Sequence, residues 1–117
     1  MFKSILEDLQ RNVDGTVAIS LIGTDGIAIE SLERDHFPLE ILSAEISSLL
    51  KTLRTAKTDL DTGDLEQFVL TTQKYITFLS KVTPEYFILM VLAQGGNYGR
   101  ARFELKRAKY ALQDELT

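Results

Sequence analysis

The sequence predicts an α/β fold in which a five-stranded sheet carries helices on both faces, in the order α-β-β-α-β-β-β-α. Three observations carry that expectation. Apolar residues recur at helical spacing in three separate segments. An Asp-Gly pair, Asp25-Gly26, joins two apolar runs as a hairpin turn would. One later run, Tyr86 to Leu92, is apolar at every position, the pattern of a central strand covered on both sides. A sheet with such a strand needs a layer of helix above and below it.

The elements follow in order. Phe2, Ile5, Leu6, Leu9 and Val13 lie at helical spacing with Lys3, Glu7, Asp8, Gln10 and Arg11 between them, which predicts an amphipathic helix closed by Asp14-Gly15. Thr16 to Ile22 and Ile27 to Ser31 are the hairpin strands. Glu33 to His36 is a polar connection, and Pro38 suits a helix start, where its missing N–H costs nothing. The longest helix is expected over 38–57, with Leu39, Leu42, Ile46, Leu49, Leu53 and Ala56 as its core stripe. A polar loop, 58–64, leads to strands over 65–70 and 75–82, with a turn near Thr72-Gln73. Thr83-Pro84-Glu85 turns into the apolar strand, Gly95-Gly96-Asn97 ends it, and a last helix runs over 98–115 with Ala101, Leu105, Ala108, Leu112 and Leu116 as its core face.

The 117 residues are expected to form one domain, 1–117, large enough to bury a core. Apolar residues make up 44% and charged residues 26%, an ordinary globular balance. The net charge of −4 disfavours general nucleic-acid binding, which needs a basic field. The absence of cysteine removes disulfides, thiolate catalysis and cysteine-ligated metals. The start, Met1-Phe2-Lys3-Ser4-Ile5, lacks a signal-peptide pattern, and no run reaches the ~20 apolar residues of a membrane span, so a cytoplasmic protein without membrane insertion is expected.

The hairpin TVAISLIGTDGIAIES, the long helix LEILSAEISSLLKTL and the end YFILMVLAQGGNYGRARFELKRAKYAL together resemble the Roadblock family, which includes dynein light chains and the bacterial MglB-type regulators of Ras-like GTPases. The terminal GNYGRARFELKRA is closer to the bacterial type. The resemblance covers nearly the whole chain and implies a profilin-like three-layer sandwich with an antiparallel sheet. It also implies a homodimer, in which the second helices pack together and the third strands pair across a two-fold axis. The matching segments here are the helix over 38–57 and the strand over 65–70, with Ser43, Ile46, Ser47, Leu50, Arg54, Leu65, Gln67 and Val69 as the expected interface residues. Independently, Ser43, Ser47, Leu50 and Arg54 form a row beside the core stripe, two small residues and a leucine that would let a second helix approach. The alternative is a solvated helix shoulder. An unpaired third strand would also leave its backbone edge exposed.

Catalytic constellations are weak. Gly95-Gly96-Asn97-Tyr98-Gly99-Arg100 stands between a strand and a helix, as a phosphate-binding turn would. A Walker A loop needs a terminal Lys-Ser/Thr, and Arg100-Ala101 stands there instead, so a tight connection with Asn97 as a cap is expected. His36, the sole histidine, is expected as a polar linker residue. Asp59, Asp61 and Asp64 lack the further ligands of an EF-hand and are expected as a solvated loop. No cofactor or metal is expected.

The last helix is the most informative surface. Phe103 and Tyr110 fall roughly opposite its core face, with Arg102, Lys106 and Arg107 around and between them. Aromatics ringed by cations on a wet face resemble a partner-binding patch. The alternatives are rings covered by basic side chains at the sheet edge, or Phe103 packed on the first helix. The expected function is a non-enzymatic homodimeric regulator or adaptor of a Ras-like small GTPase, stimulating hydrolysis by positioning the switch elements, with Arg54 or Arg100 within reach of an arginine-finger role that the family does not require. The alternative is a scaffold subunit of a motor or signalling complex without effect on hydrolysis. A third reading, a PAS-type ligand sensor, needs polar groups facing an internal cavity, which the apolar sheet residues do not supply.

Overall fold

A computed structural model describes residues 2–34 and 36–117. Asp35, expected in the polar connection, and Met1 lie outside the described residues. The elements are α1 (Phe2–Asn12), β1 (Thr16–Gly23), β2 (Ala28–Glu33), α2 (Leu39–Leu60), β3 (Gln67–Thr71), β4 (Tyr75–Thr83), β5 (Tyr86–Ala93) and α3 (Tyr98–Leu116). The strands form one antiparallel sheet in the order β2-β1-β5-β4-β3. The apolar run 86–92 is the middle strand, and Phe87 to Leu92 are all buried.

Alternation along the strands builds two cores. Ile88, Met90 and Leu92 of β5 join Phe78 of β4 and Ile19 and Leu21 of β1 against Leu6 and Leu9 of α1 and Ala101, Leu105 and Leu112 of α3. Phe87, Leu89 and Val91 face the other way, onto Leu39, Ile46 and Leu50 of α2. Two helices therefore cover one face, and α2 alone covers the other.

Three elements depart most from their expected bounds. The long helix continues past residue 57 to Leu60, because nothing interrupts it before Asp61, which takes a left-handed conformation and bonds its N–H to the Lys57 carbonyl. β3 begins at Gln67 rather than at residue 65. β2 is displaced to Ala28–Glu33 and holds a bulge: Leu21 pairs with Glu30 but Ile22 pairs with Ala28, so Ile29 is an extra residue on the sheet's outer strand.

The rotational phase of α2 also differs from expectation. Ser43, Ser47 and Leu50, expected as the row facing a second chain, are buried inside their own chain, Leu50 being only 1% exposed. Ile46 is likewise enclosed. Leu42, Leu49, Leu53 and Ala56 of the expected core stripe are only half-buried. The physical reason is the β1–β2 turn. Gly26 has φ +84°, and a Cβ on it would lie 3.0 Å from the Ser47 Cβ and 3.2 Å from the Ser43 carbonyl oxygen. The small serines admit this turn, not a second helix, and the Ser47 hydroxyl donates to the Thr24 carbonyl at 2.9 Å.

On the other face, α3 carries a buried carboxylate that its expected core face omitted. Glu104 is 3% exposed and is held by Arg100 at 3.3 Å and Arg107 at 3.2 Å. The Arg100 Nε also donates to the Asn12 carbonyl at 3.2 Å, which ties α3 to the end of α1.

Two substitutions test these contacts by urea unfolding followed by circular dichroism. Gly26→Ala must adopt a left-handed conformation against Ser47, and a loss of about 1–3 kcal/mol is expected. Glu104→Gln keeps the shape but leaves two guanidinium groups without their counter-charge, and a loss of about 1–3 kcal/mol is expected.

Candidate interaction surfaces

The first surface is the free edge of β3 with the sheet face beside α2. The Lys81 N–H bonds to the Glu66 carbonyl and the Thr72 N–H to the Tyr75 carbonyl. In an antiparallel ladder bonded pairs alternate. Residues 66, 68, 70 and 72 therefore turn their backbone groups to β4, and Gln67, Val69 and Thr71 turn theirs to the outside. Gln67 is exposed, and the Val69 side chain is half-buried on the α1/α3 side. Leu65 packs on the α2 side.

On that α2 side the apolar surface runs on. Phe68 is half-buried and Leu70 is exposed. Tyr75 meets the Phe37 ring edge-on, with centroids 5.3 Å apart. The half-buried leucines Leu42, Leu49 and Leu53 form a second row on α2, about a quarter of a turn from its buried row. Arg54 is exposed, but its Nη2 donates to the Pro84 carbonyl at 3.1 Å. At the end of α2, Asp64 bonds Lys57 and lies 3.8 Å from Lys81. The bond from Lys57 and the two ammonium charges hold its carboxyl below the ordinary aspartate range.

The second surface is α3. Phe103 and Tyr110 are exposed, at 59% and 56%, so neither is covered by neighbouring basic chains nor packed on α1. Arg102 and Lys106 are exposed beside them. Arg107 is the exception within the expected patch, since it bonds Glu104. Sequence reasoning missed Lys109. It joins Arg102, Phe103 and Lys106 along a groove of about 410 Å³ between α3 and β3, whose floor includes Gln67 and Ser80. Its position seven residues after Arg102, on the same side of the helix, was the available signal.

The charges of α3 run against its own dipole. Its first turn has no acid and contains Arg100, whereas Asp114 and Glu115 stand at its end and no base does. Each such placement costs about 0.3–1 kcal/mol relative to the reverse.

The remaining polar features form no centre among the described residues. His36 is exposed, with φ 54°. Asp59 and Asp61 are exposed, and among the described residues no group of three or more His, Asp or Glu is placed to hold a metal ion. Asn97 caps α3 by accepting the Arg100 N–H at 2.9 Å. Gly96 is a packing residue, since a Cβ there would lie 2.7 Å from Leu92. Both cores face the sheet with apolar side chains, and no described buried side-chain nitrogen or oxygen lacks a partner. No helix among the described residues is long and apolar enough to cross a membrane.

This arrangement has known counterparts. The family model described as Roadblock/LC7 domain matches residues 3–93, from α1 to the end of β5. No curated protein matches the chain. Among solved structures, MglC from Myxococcus xanthus is 30% identical, covering 97% of this chain and 98% of that one, with a TM-score of 0.70. A Roadblock/LC7 domain from Streptomyces avermitilis is 18% identical over 97% and 95% of the two chains, with a TM-score of 0.86. MglB from Myxococcus xanthus is 11% identical over 98% and 94%, with a TM-score of 0.89. At these last two identities the likeness is one of fold. By its matched sequence, its strand order and its helix layers, the chain belongs to the Roadblock/LC7 domain family.

Proposed function

We propose that this chain is a non-enzymatic homodimer, acting as one unit over 1–117 in the cytoplasm, that regulates a Ras-like small GTPase. The observation that carries the reading is the half-covered sheet face beside the free β3 edge, on a Roadblock/LC7 domain. In the dimer the outward backbone groups of Gln67, Val69 and Thr71 pair with those of a second copy. The second copy's α2 lies over Phe68, Leu70 and Tyr75, against Leu42, Leu49 and Leu53. The seam thus keeps the elements named for it, α2 and β3, while its helix contacts move from Ser43, Ser47 and Leu50 to the leucine row. Burying these side chains removes apolar area from water and closes a strand edge that would otherwise template aggregation.

The chemistry of hydrolysis belongs to the GTPase, whose Mg²⁺, lysine and positioned water act on the γ-phosphate. The contribution of this chain is positional: it binds one switch conformation better than the other and shifts the population toward it. α3, with Arg102, Phe103, Lys106 and Tyr110, is the partner-facing surface, and Arg107 supports it through Glu104.

Two measurements check the reading. Gln67→Pro removes one outward N–H per protomer at the first residue of an edge strand, where proline is tolerated. Two lost hydrogen bonds, about 1–3 kcal/mol together, should weaken dimerisation about 5–150-fold and give monomer by size-exclusion light scattering at micromolar concentration. Single-turnover hydrolysis by a Ras-like GTPase of the same genome should exceed its intrinsic rate with this protein and fall back with Gln67→Pro. Binding without acceleration would make the protein a scaffold, and no binding would refute the proposal.

A further inference from the structure

The cations in the α3–β3 groove are unexplained by the fold. Arg102, Lys106 and Lys109 line one wall of it, and among the described residues none of the three has a carboxylate within ion-pairing distance. Arg102 instead lies 5.8 Å from the centroid of the Tyr98 ring. Their spacing puts like charges three and four residues apart on one helix, which is repulsive. Arg102 also stands near the positive end of the helix dipole. The contrast with Arg100 and Arg107 is sharp, because those two surround the buried Glu104. A chain with a net charge of −4 thus keeps a row of uncompensated cations beside an exposed phenylalanine.

We propose that this groove binds an acidic segment of a partner protein, with carboxylates on the row Arg102–Lys106–Lys109 and an apolar side chain against Phe103. The inference rests on the reading of α3 as the partner-facing helix, and not on that partner's being a GTPase. The charge pattern selects a peptide over a continuous polyanion. The cations are only three, Glu66 lines the same groove, and Asp114 and Glu115 stand at the far end of the helix. A nucleic acid or an anionic membrane would meet Asp114 and Glu115 with like charge, whereas a segment with a short acidic stretch stops before them; Glu66 is itself 3.9 Å from Lys81.

The test is a fluorescence-anisotropy titration of the full chain with a fluorescein-labelled peptide of Leu and Ser that carries one short run of Glu, sized to the row Arg102–Lys106–Lys109. Parallel arms use the same peptide with Lys in place of Glu, a labelled oligouridine, and phosphatidylserine–phosphatidylcholine vesicles. The variant Arg102→Ala/Lys106→Ala/Lys109→Ala is compared with Lys3→Ala/Arg34→Ala/Lys74→Ala, which makes the same change in net charge elsewhere. The acidic peptide should bind, more weakly as salt rises. The groove variant should lose at least about tenfold in affinity and the control variant should not. The groove variant should also melt no lower than the parent, since it removes mutually repulsive charges. No binding of the acidic peptide, equal loss in both variants, or tighter binding of oligouridine or vesicles through the same three residues would overturn the proposal. A GTPase that fails to respond leaves this titration unaffected, so the two readings fail separately.

Discussion

One helix cannot cover a five-stranded sheet. Five strands spaced about 4.8 Å apart span about 20 Å, and a helix with its side chains is about 10 Å across. On one face α1 and α3 lie side by side and together close the core around Phe78, Ile88 and Met90. On the other, α2 seals Phe87, Leu89 and Val91 and leaves the strip from Phe68 to Tyr75 incompletely covered. The central strand β5 needs both faces covered, so this asymmetry cannot be relieved by unfolding either layer. A second layer from outside could relieve it, and β3, at the sheet's edge, sets the uncovered strip beside a free backbone.

Much of this was legible in the residues. Apolar runs of different period separated helix from strand, the Asp-Gly pair located the hairpin, and the unbroken run 86–92 identified the middle strand. The phase of α2 was not legible, and the reason is instructive. A helix with leucine, isoleucine and small residues on two adjacent sides carries two overlapping apolar rows, and periodicity alone cannot say which faces inward. Small residues such as Ser43 and Ser47 mark a close approach, and the sequence pattern suggests a second helix there. What approaches is a turn from the same chain, fixed by Gly26 twenty-one residues before Ser47, and no local pattern encodes that meeting. Glu104 was hidden for a similar reason. Its burial depends on two arginines, one of which is anchored on α1 by way of Asn12.

The division of arginines on α3 separates structure from interaction on a single helix. Arg100 and Arg107 neutralise a buried carboxylate, and Arg100 also fastens α3 to the end of α1. Arg102 and Lys106 do neither, and with Phe103 and Tyr110 they form a face that the monomer does not use. These side chains project from a helix whose own seat is held by other residues. Substitutions on this face leave the contacts that seat the helix intact.

The bulge at Ile29 has a consequence for how far assembly can go. A sheet has two edges, and a protein that joins copies through one must deal with the other. If both were flat, dimers would add end to end without limit. On β2 the extra residue breaks the regular spacing of backbone donors and acceptors, and Glu30 and Glu33 place negative charge along the same strand. A second copy of β2 would meet both its own irregularity and its own charge. The β2 rim is thus guarded against strand addition by irregularity and charge, whereas β3 at the other rim pairs with β4 in unbroken register.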